Sequence, residues 1–353
     1  MRRKEAGVDT YSGEVAAALL PVNEAVHGSA TMRLDAARSR AHHQPMLPES
    51  FILTEPYAGL QAQALGLAEA GGFSPTVIDL RPRHIYRVLP PSFWPEPLGA
   101  VGLQKLPKGL MFTAGGTGGA VGAALRRRGN QVVQVQHPRR KLTDFDLVVV
   151  NKHDEVTGPN VLVTRTALHR ATPARLAEAR ALWMPRFAHL PRPLVAVLVG
   201  GSNGRYRLEA AEGSSLARSL IGLMNYDKAG VMVTPSRRTP AVVRTALQQV
   251  LAPRGAWIWD MTGENPYFGM LACADIIVAT MDSISMVSEA VATSAPVLLA
   301  ELPGTSRRSG LFLKLLYDAD RVRQFFGRVE YWPVQPLDDT QAAADEMRRR
   351  LGL

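Results

Sequence analysis

Residues 1–47 mix Ala, Arg, His and Gly with no sustained hydrophobic period, which predicts a poorly ordered tail. After Pro48 the pattern becomes regular. Phe51–Thr54 is a short apolar run, followed by a turn at Glu55-Pro56-Tyr57-Ala58-Gly59. Apolar positions at Leu60, Ala64, Leu67 and Ala68 then give a helical stripe that stops at Gly71-Gly72. Further strands are expected at Thr76–Leu80, Gly109–Thr113, Gln131–Val135 and Leu147–Val150. The glycine-rich stretch Gly115–Gly119 leads into a helix ending near Gly129. Pro191-Arg192-Pro193 reads as a linker, and the alternation then restarts. Strands are expected at Leu194–Val199, Gly230–Thr234, Ala256–Trp259, Asp275–Thr280 and Pro296–Ala300. Helices are expected at Glu209–Leu223, up to Leu251, at Pro266–Cys273 and at Ser285–Thr293.

Strands alternating with helices imply mainly parallel sheets covered on both faces. A chain of 353 residues has room for two such domains. The expected division is a tail to residue 47, a first α/β domain over 48–190, a second over 191–336, and a C-terminal helix over 337–353 placed to pack back on the first domain. In sheets of this kind ligands sit beyond the carboxyl ends of the strands, so the loops there are where chemistry is expected.

Composition narrows the partners. The formal net charge is +10, which favours anionic ligands. The basic residues are dispersed, in Arg126-Arg127-Arg128, Arg139-Arg140-Lys141, Arg237-Arg238, Arg307-Arg308 and Arg348-Arg349-Arg350, and read mostly as solvated faces. Aromatic residues are 7%, too few to interleave a nucleic-acid stripe, so no nucleic-acid partner is expected and an anionic membrane surface is the better use of the charge. No apolar run is long enough to cross a bilayer. Val15–Val22 is flanked by Glu14 and Glu24, which makes a poor signal peptide. The single cysteine, Cys273, allows no internal disulfide and fits a reducing compartment. The expected location is cytoplasmic, peripheral on the inner face of a membrane.

The segment with the most chemistry runs from Asp275 to Ala290. An apolar strand delivers the chain to a turn holding Asp282, Ser283 and Ser285, and a helix begins there. The free amides and positive dipole end of a helix suit a diphosphate. Glu289 lies four residues beyond Ser285 on the same face, where a carboxylate could accept hydrogen bonds from a ribose. A serine-capped helix with a solvated Glu289 explains the same residues equally well. Gly200-Gly201-Ser202-Asn203-Gly204 follows another strand. Glycines there let backbone approach a ligand, although a tight strand-to-helix connection is the stronger explanation. Arg237 and Arg238 could neutralise a departing diphosphate, or be surface arginines. Asn265-Pro266-Tyr267 could frame a nucleobase or simply open a helix. In the first half, His153-Asp154 and Glu55 are candidate general bases, with Tyr57 and Gln63 near the first strand end, although adjacent residues such as His153 and Asp154 rarely orient one another. The dinucleotide fingerprint fails because Val121 stands where its third glycine belongs, and there is no P-loop. No Cys/His spacing or acidic loop resembles a metal site.

These motifs resemble the ELM-type mitochondrial-fission family and its bacterial relatives, which are read as glycosyltransferases. The resemblance rests on Gly59–Gln63 with Gly66–Ala70, His153-Asp154 with Gly158–Val161, and Gly200-Gly201. It continues through Thr234–Pro240, Asn265–Asp275, Asp282–Ala290 and Pro336-Leu337. More distantly the chain is similar to the peptidoglycan N-acetylglucosaminyltransferase. The resemblance implies a GT-B-like fold, two Rossmann-like domains facing a central cleft, with a nucleotide-sugar donor held by the C-terminal one. It implies that Ser283, Ser285 and Met286 meet the diphosphate, that Glu289 meets the ribose, and that Ser202 and Arg238 line the cleft, with Gly201, Asn203, Arg237, Asn265, Tyr267 and Asp282 around them. No cofactor and no metal are expected, because arginines and a helix N-terminus stabilise the leaving diphosphate in such enzymes. The acceptor would be an envelope glycan or lipid-linked molecule. The first half departs from the family pattern, with Gly115–Gly119 in place of a Gly-Arg segment and Asn151-Lys152 ahead of His153. The alternative function is a non-catalytic adaptor on a membrane surface, related to mitochondrial fission factors.

Overall fold

The structure is a computed structural model and describes residues 47–105 and 107–353. The expected tail over residues 1–47 therefore lies, all but its last residue, outside the described residues. The first lobe runs β1 (Ser50–Thr54), α1 (Ala58–Ala70), β2 (Thr76–Asp79), α2 (Pro97–Ala100), β3 (Leu110–Ala114), α3 (Gly115–Arg126), β4 (Gln131–Val135), β5 (Leu147–Asn151) and β6 (Val161–Thr164). After it come α4 (Pro173–Phe187), β7 (Leu194–Val199), α5 (Ala210–Tyr226), β8 (Gly230–Pro235), α6 (Ala241–Leu251), β9 (Trp257–Ile258), α7 (Tyr267–Cys273) and β10 (Ile276–Thr280). The chain ends with α8 (Ile284–Val291), β11 (Val297–Ala300), α9 (Arg307–Asp318), β12 (Val322–Gln324) and α10 (Thr340–Leu351).

The strands form two six-stranded sheets, ordered β2-β1-β3-β4-β5-β6 and β12-β11-β10-β7-β8-β9, with every strand pairing parallel. Both faces of each sheet are buried, which is why the central strands read as unbroken apolar runs rather than alternating ones. In β7, Leu194, Ala196 and Leu198 enter one core while Val195, Val197 and Val199 enter the core on the opposite face. The direction of winding reverses between β1 and β3 in the first sheet and between β7 and β10 in the second. Those reversals open crevices at the carboxyl ends of the strands. The loops after β1, β7 and β10 therefore stand where a ligand fits, and they are the loops singled out from the sequence.

The boundary between lobes differs from the expected linker at Pro191-Arg192-Pro193. Trp183 and Phe187 of α4 are buried in the core of the second sheet, with Met270, Ile277 and Leu299. The crossing is thus the stretch from Arg165 to Thr172, where the Ala167 amide already donates to Ser288 Oγ of α8 at 3.0 Å. The sequence of α4 gave little warning, because only Trp183 and Phe187 of its fifteen residues are buried. The chain returns after β12, and Ala343, Ala344 and Met347 of α10 join the first-lobe core beside Ala64, Leu67 and Ala68 of α1. The two crossings are tied by Arg165, whose guanidinium and backbone amide both bond Asp339.

Candidate functional site

A cleft of about 690 Å³ lies between the lobes, a size suited to a small-molecule ligand. Its first-lobe wall is Tyr57, Gly59, Leu60 and Gln63 at the start of α1, Gln136 and Arg139 after β4, and Asn151 and His153 after β5. Its second-lobe wall is Arg205, Arg238, Asp282–Ser285 and Ser306–Ser309, all in the loops that follow strands of the second sheet or in the first turns of α8 and α9. The lobes touch across it. Gln63 Nε2 donates to Ser285 Oγ at 3.1 Å, and Gln136 Nε2 donates to Gln63 Oε1 at 3.2 Å.

The turn into α8 is open to this cleft. Ser283 caps the helix by accepting from the Met286 amide at 3.4 Å, and its own carbonyl accepts from the Val287 amide. The amides of Ile284 and Ser285 have no acceptor within the helix and stand at its positive end. Asp282 organises everything around them. Its buried carboxylate accepts from the Gly201 amide at 3.1 Å, from Arg238 Nη2 at 3.0 Å and from Thr280 Oγ1 at 2.7 Å. Arg238 is thereby held with half its side chain facing the cleft.

Several expected ligand contacts turn out to serve the protein instead. A Cβ on Gly200 would lie 2.1 Å from Asp282 Oδ1 and one on Gly201 2.2 Å from the Arg238 carbonyl, so these glycines admit Asp282 and Arg238. Ser202 exchanges hydrogen bonds with Leu208, and Asn203 accepts from the amides of Arg205 and Tyr206 while donating to the Asp282 carbonyl. Both hold their loop folded. Asn265 accepts from the Tyr267 amide and so only opens α7. Arg237 is exposed and off the cleft wall, unlike its neighbour. The Met286 side chain is buried in the core.

Glu289 lies away from the expected place. It is not on the cleft wall; it is 8% exposed, and its Oε2 accepts from the Tyr267 hydroxyl at 2.5 Å. Burial raises the Glu289 carboxyl above the ordinary carboxylate range, against the Tyr267 hydrogen bond and nearby His169, which pull it down. Burial and the adjacent Glu289 push the Tyr267 phenol well up. A carboxyl whose value is raised in the fold destabilises progressively as pH climbs from the unfolded value through the folded one. Glu289→Gln keeps an acceptor for Tyr267 and removes that titration. We expect urea unfolding of this variant to show stability at neutral pH equal to or above the parent, and a flatter stability profile on the acid side. A variant less stable at neutral pH would mean that the charge itself stabilises the fold.

On the opposite wall, the expected His153–Asp154 pair is not a hydrogen-bonded dyad. His153 Nε2 is 3.8 Å from Asp154 Oδ1. The Asp154 carboxylate is engaged by Arg308 and by the Asn151 amide. His153 is 4% exposed, both ring nitrogens lack a hydrogen-bond partner, and Phe312 packs edge-on against the ring at 5.5 Å. Burial, the largest cause, lowers its pKa, Asp154 raises it and Arg308 lowers it again, with a net fall that favours the uncharged imidazole. Glu55 is elsewhere, in a neighbouring pocket of about 340 Å³ with Tyr86, Leu89, Pro90 and Trp94; Arg139 borders both spaces.

A second helix start, that of α9, also borders the cleft. Ser306 caps α9 by accepting from the Ser309 amide, and Ser306 to Ser309 all line the cleft. Arg307 and Arg308, read as solvated, pair across the gap with Glu155 at 2.6 Å and with Asp154. A Ser cap followed by apolar residues at Phe312, Leu313 and Leu316 was the available signal. Among the described residues no group of three His, Cys, Asp or Glu could hold a metal ion, and no helix is long and apolar enough to cross a membrane.

A family model described as Mitochondrial fission ELM1 matches residues 58–351. The chain is 32% identical over 262 residues to the mitochondrial fission protein ELM1 of Arabidopsis thaliana, covering 66% of this chain and 61% of that protein, so it spans less than two thirds of that relative. It is 23% identical over 285 residues to the uncharacterized protein RP120 of Rickettsia prowazekii (strain Madrid E), covering 69% of this chain and 80% of the relative. Among solved structures it is similar to S. aureus MnaA in a co-structure with UDP, at 14% identity and TM-score 0.52, covering 86% of this chain and 97% of the other. It is also similar to the Methanocaldococcus jannaschii UDP-GlcNAc 2-epimerase in complex with UDP-GlcNAc and UDP, at 11% identity and TM-score 0.51, covering 86% and 99%. With the two parallel sheets, these likenesses make the fold GT-B-like.

Proposed function

The chain belongs to the mitochondrial fission ELM1 family, and from that premise and the cleft geometry we propose that it transfers a sugar from a nucleoside-diphosphate sugar to a glycan or lipid-linked acceptor. The observation that carries the proposal is the open start of α8, beside Arg238, at the winding reversal of the second sheet. A diphosphate placed there meets the Ile284 and Ser285 amides and a guanidinium whose position Asp282 sets. Charge grows on the diphosphate as the bond to the sugar breaks, so these donors act most strongly in the transition state. Across the cleft, His153 is the group suited to accept the acceptor hydroxyl proton once an occupant opens the wall to its buried, unpartnered ring nitrogens. The acceptor oxygen then bonds the sugar's anomeric carbon, and the electron pair of the broken bond leaves with the diphosphate. UDP is what the S. aureus and M. jannaschii proteins hold, which makes it the first nucleotide to try.

Isothermal titration with UDP, GDP and ADP, and with their sugars, tests the proposal. We expect one nucleoside diphosphate to bind, and Arg238→Ala to weaken it by about 10- to 100-fold through loss of a charge-assisted contact. If none of the panel binds, the donor-site reading is wrong. The second reading is a scaffold without catalysis. It draws on the name of the Arabidopsis relative and on the Arg307–Glu155 and Arg308–Asp154 pairs, which fasten the lobes together without any ligand. That reading expects no nucleotide affinity.

A further inference from the structure

The stretch between β2 and α2 is built inside out. Trp94 is buried against Ala120 of α3, its indole donates to the Leu89 carbonyl at 3.0 Å, and Tyr86 packs on it edge-on at 5.6 Å. These two aromatics pin the segment to the first lobe. Other apolar side chains of the same stretch are left to solvent: Ile85 is 62% exposed, Val88 81% and Phe93 74%. Three large apolar groups on so short a stretch are exposed where water does not favour them, on a segment that Tyr86 and Trp94 hold to the lobe. Basic residues border them. Arg81, Arg83, His84 and Arg87 line a hollow of about 610 Å³ on the same segment, with Asp79 as its only carboxylate among the described residues. Asp79 is already engaged by Arg81 and Gln61, whereas Arg83 and Arg87 have no carboxylate partner among the described residues. On the other side of the segment, Tyr86, Leu89, Pro90 and Pro91 line the Glu55 pocket, which reaches Arg139 on the rim of the cleft.

We propose that this segment docks the protein on an anionic lipid bilayer, with Ile85, Val88 and Phe93 entering the interface and Arg81, Arg83 and Arg87 meeting the lipid phosphates. Apolar side chains surrounded by arginines match a bilayer, where hydrocarbon lies beneath a negatively charged surface. A protein partner would have to supply both features on one complementary face. The docking itself does not depend on sugar transfer.

The test is sedimentation of the full chain with phosphatidylcholine vesicles, with and without phosphatidylglycerol. We expect binding to the anionic vesicles that weakens as salt rises. Val88→Asp with Phe93→Asp should lower the partition coefficient at least about tenfold, since two buried apolar side chains are lost. Arg83→Ala with Arg87→Ala should lower it on anionic vesicles by roughly tenfold or more and leave weak binding to neutral vesicles unchanged. All four positions are exposed, and thermal melting checks that the variants fold. Nucleotide titration of the same variants should be unaltered, so loss of docking is separable from failure of the donor site. Absent binding by the parent chain, or binding that both variants leave intact, overturns the proposal. So does a self-associated parent that the Asp variant renders monomeric without any vesicle binding, since the patch would then join two copies of the chain.

Discussion

Asp282→Ala is expected to destabilise the second lobe by about 2–4 kcal/mol, read as a lower urea midpoint, and to abolish nucleotide binding under conditions where the parent binds. The stability figure follows from what one carboxylate serves. It accepts from the Gly201 amide, from the Thr280 hydroxyl and from Arg238, with its own side chain fully buried. Leaving a buried donor without a partner costs about 1–3 kcal/mol, and two are left here. Arg238 adds less than a buried ion pair would, because it is half exposed and water can take over its charge. The loss of binding has a separate cause. Gly200 and Gly201 are shaped around Asp282 and Arg238, so without the carboxylate the loop after β7 and the guanidinium lose their common anchor. Asp282→Asn separates the two effects. It keeps the volume and an acceptor oxygen, so stability should fall less, while Arg238 is released and affinity still drops. Should Asp282→Ala retain both midpoint and affinity, the cleft is not organised in this way.

The same residues show where sequence reasoning reached and where it stopped. The strands were legible because a parallel sheet buried on both faces demands runs such as Leu194–Val199, and few other structures do. Ligands sit beyond the carboxyl ends of such strands, which is why the loops after β7 and β10 were singled out, whereas the winding reversals depend on a strand order that the sequence does not display. What the loops do was less legible, because capping and ligand binding use the same residue types. Ser283, Ser202 and Asn203 are all bonded within their own loops, and no local pattern distinguishes that from a ligand contact. Glu289 has the spacing of a ligand contact from Ser285, but its partner Tyr267 sits on α7, and only the packing of α7 beside α8 decides where the carboxylate goes. The glycine-rich stretch was read as a loop before a helix. The helix begins at Gly115 itself, and the glycines are there for close approach: a Cβ on Gly119 would lie 2.8 Å from the Pro138 carbonyl, and one on Gly122 2.8 Å from Thr113 Oγ1. Arg307 and Arg308 were taken for a solvated pair because their partners Asp154 and Glu155 belong to the other lobe. Charge pairing across a cleft leaves no local mark in the sequence.

His153→Ala is expected to lower the transfer rate by about 10²- to 10⁴-fold, the usual range for losing a positioned general base, with nucleoside-diphosphate affinity little changed. The split between rate and affinity follows from geometry: His153 is on the first-lobe wall, and the diphosphate donors are on the second. The pH profile gives a sharper check, because the causes acting on the ring have known signs. Burial is the largest and disfavours the imidazolium, Asp154 favours it, and Arg308 disfavours it. The net effect lowers the pKa of His153, so the acid limb of kcat/KM should lie below the ordinary histidine value of about 6.5. Arg308→Ala removes a repelling charge and should move that limb up toward neutrality. Asp154→Asn removes an attracting charge and should move it further down. The same sign governs stability. An unfolded chain takes up the proton more readily than the fold does, so the contribution of neutral His153 is present above the unfolded value and is lost as pH falls below it. His153→Gln should therefore flatten the stability profile on that acid side while still abolishing the rate. A base elsewhere, without Asp154 and Arg308 as its immediate neighbours, would show a smaller displacement of the limb, so large opposite displacements by these two variants mark the group that they flank.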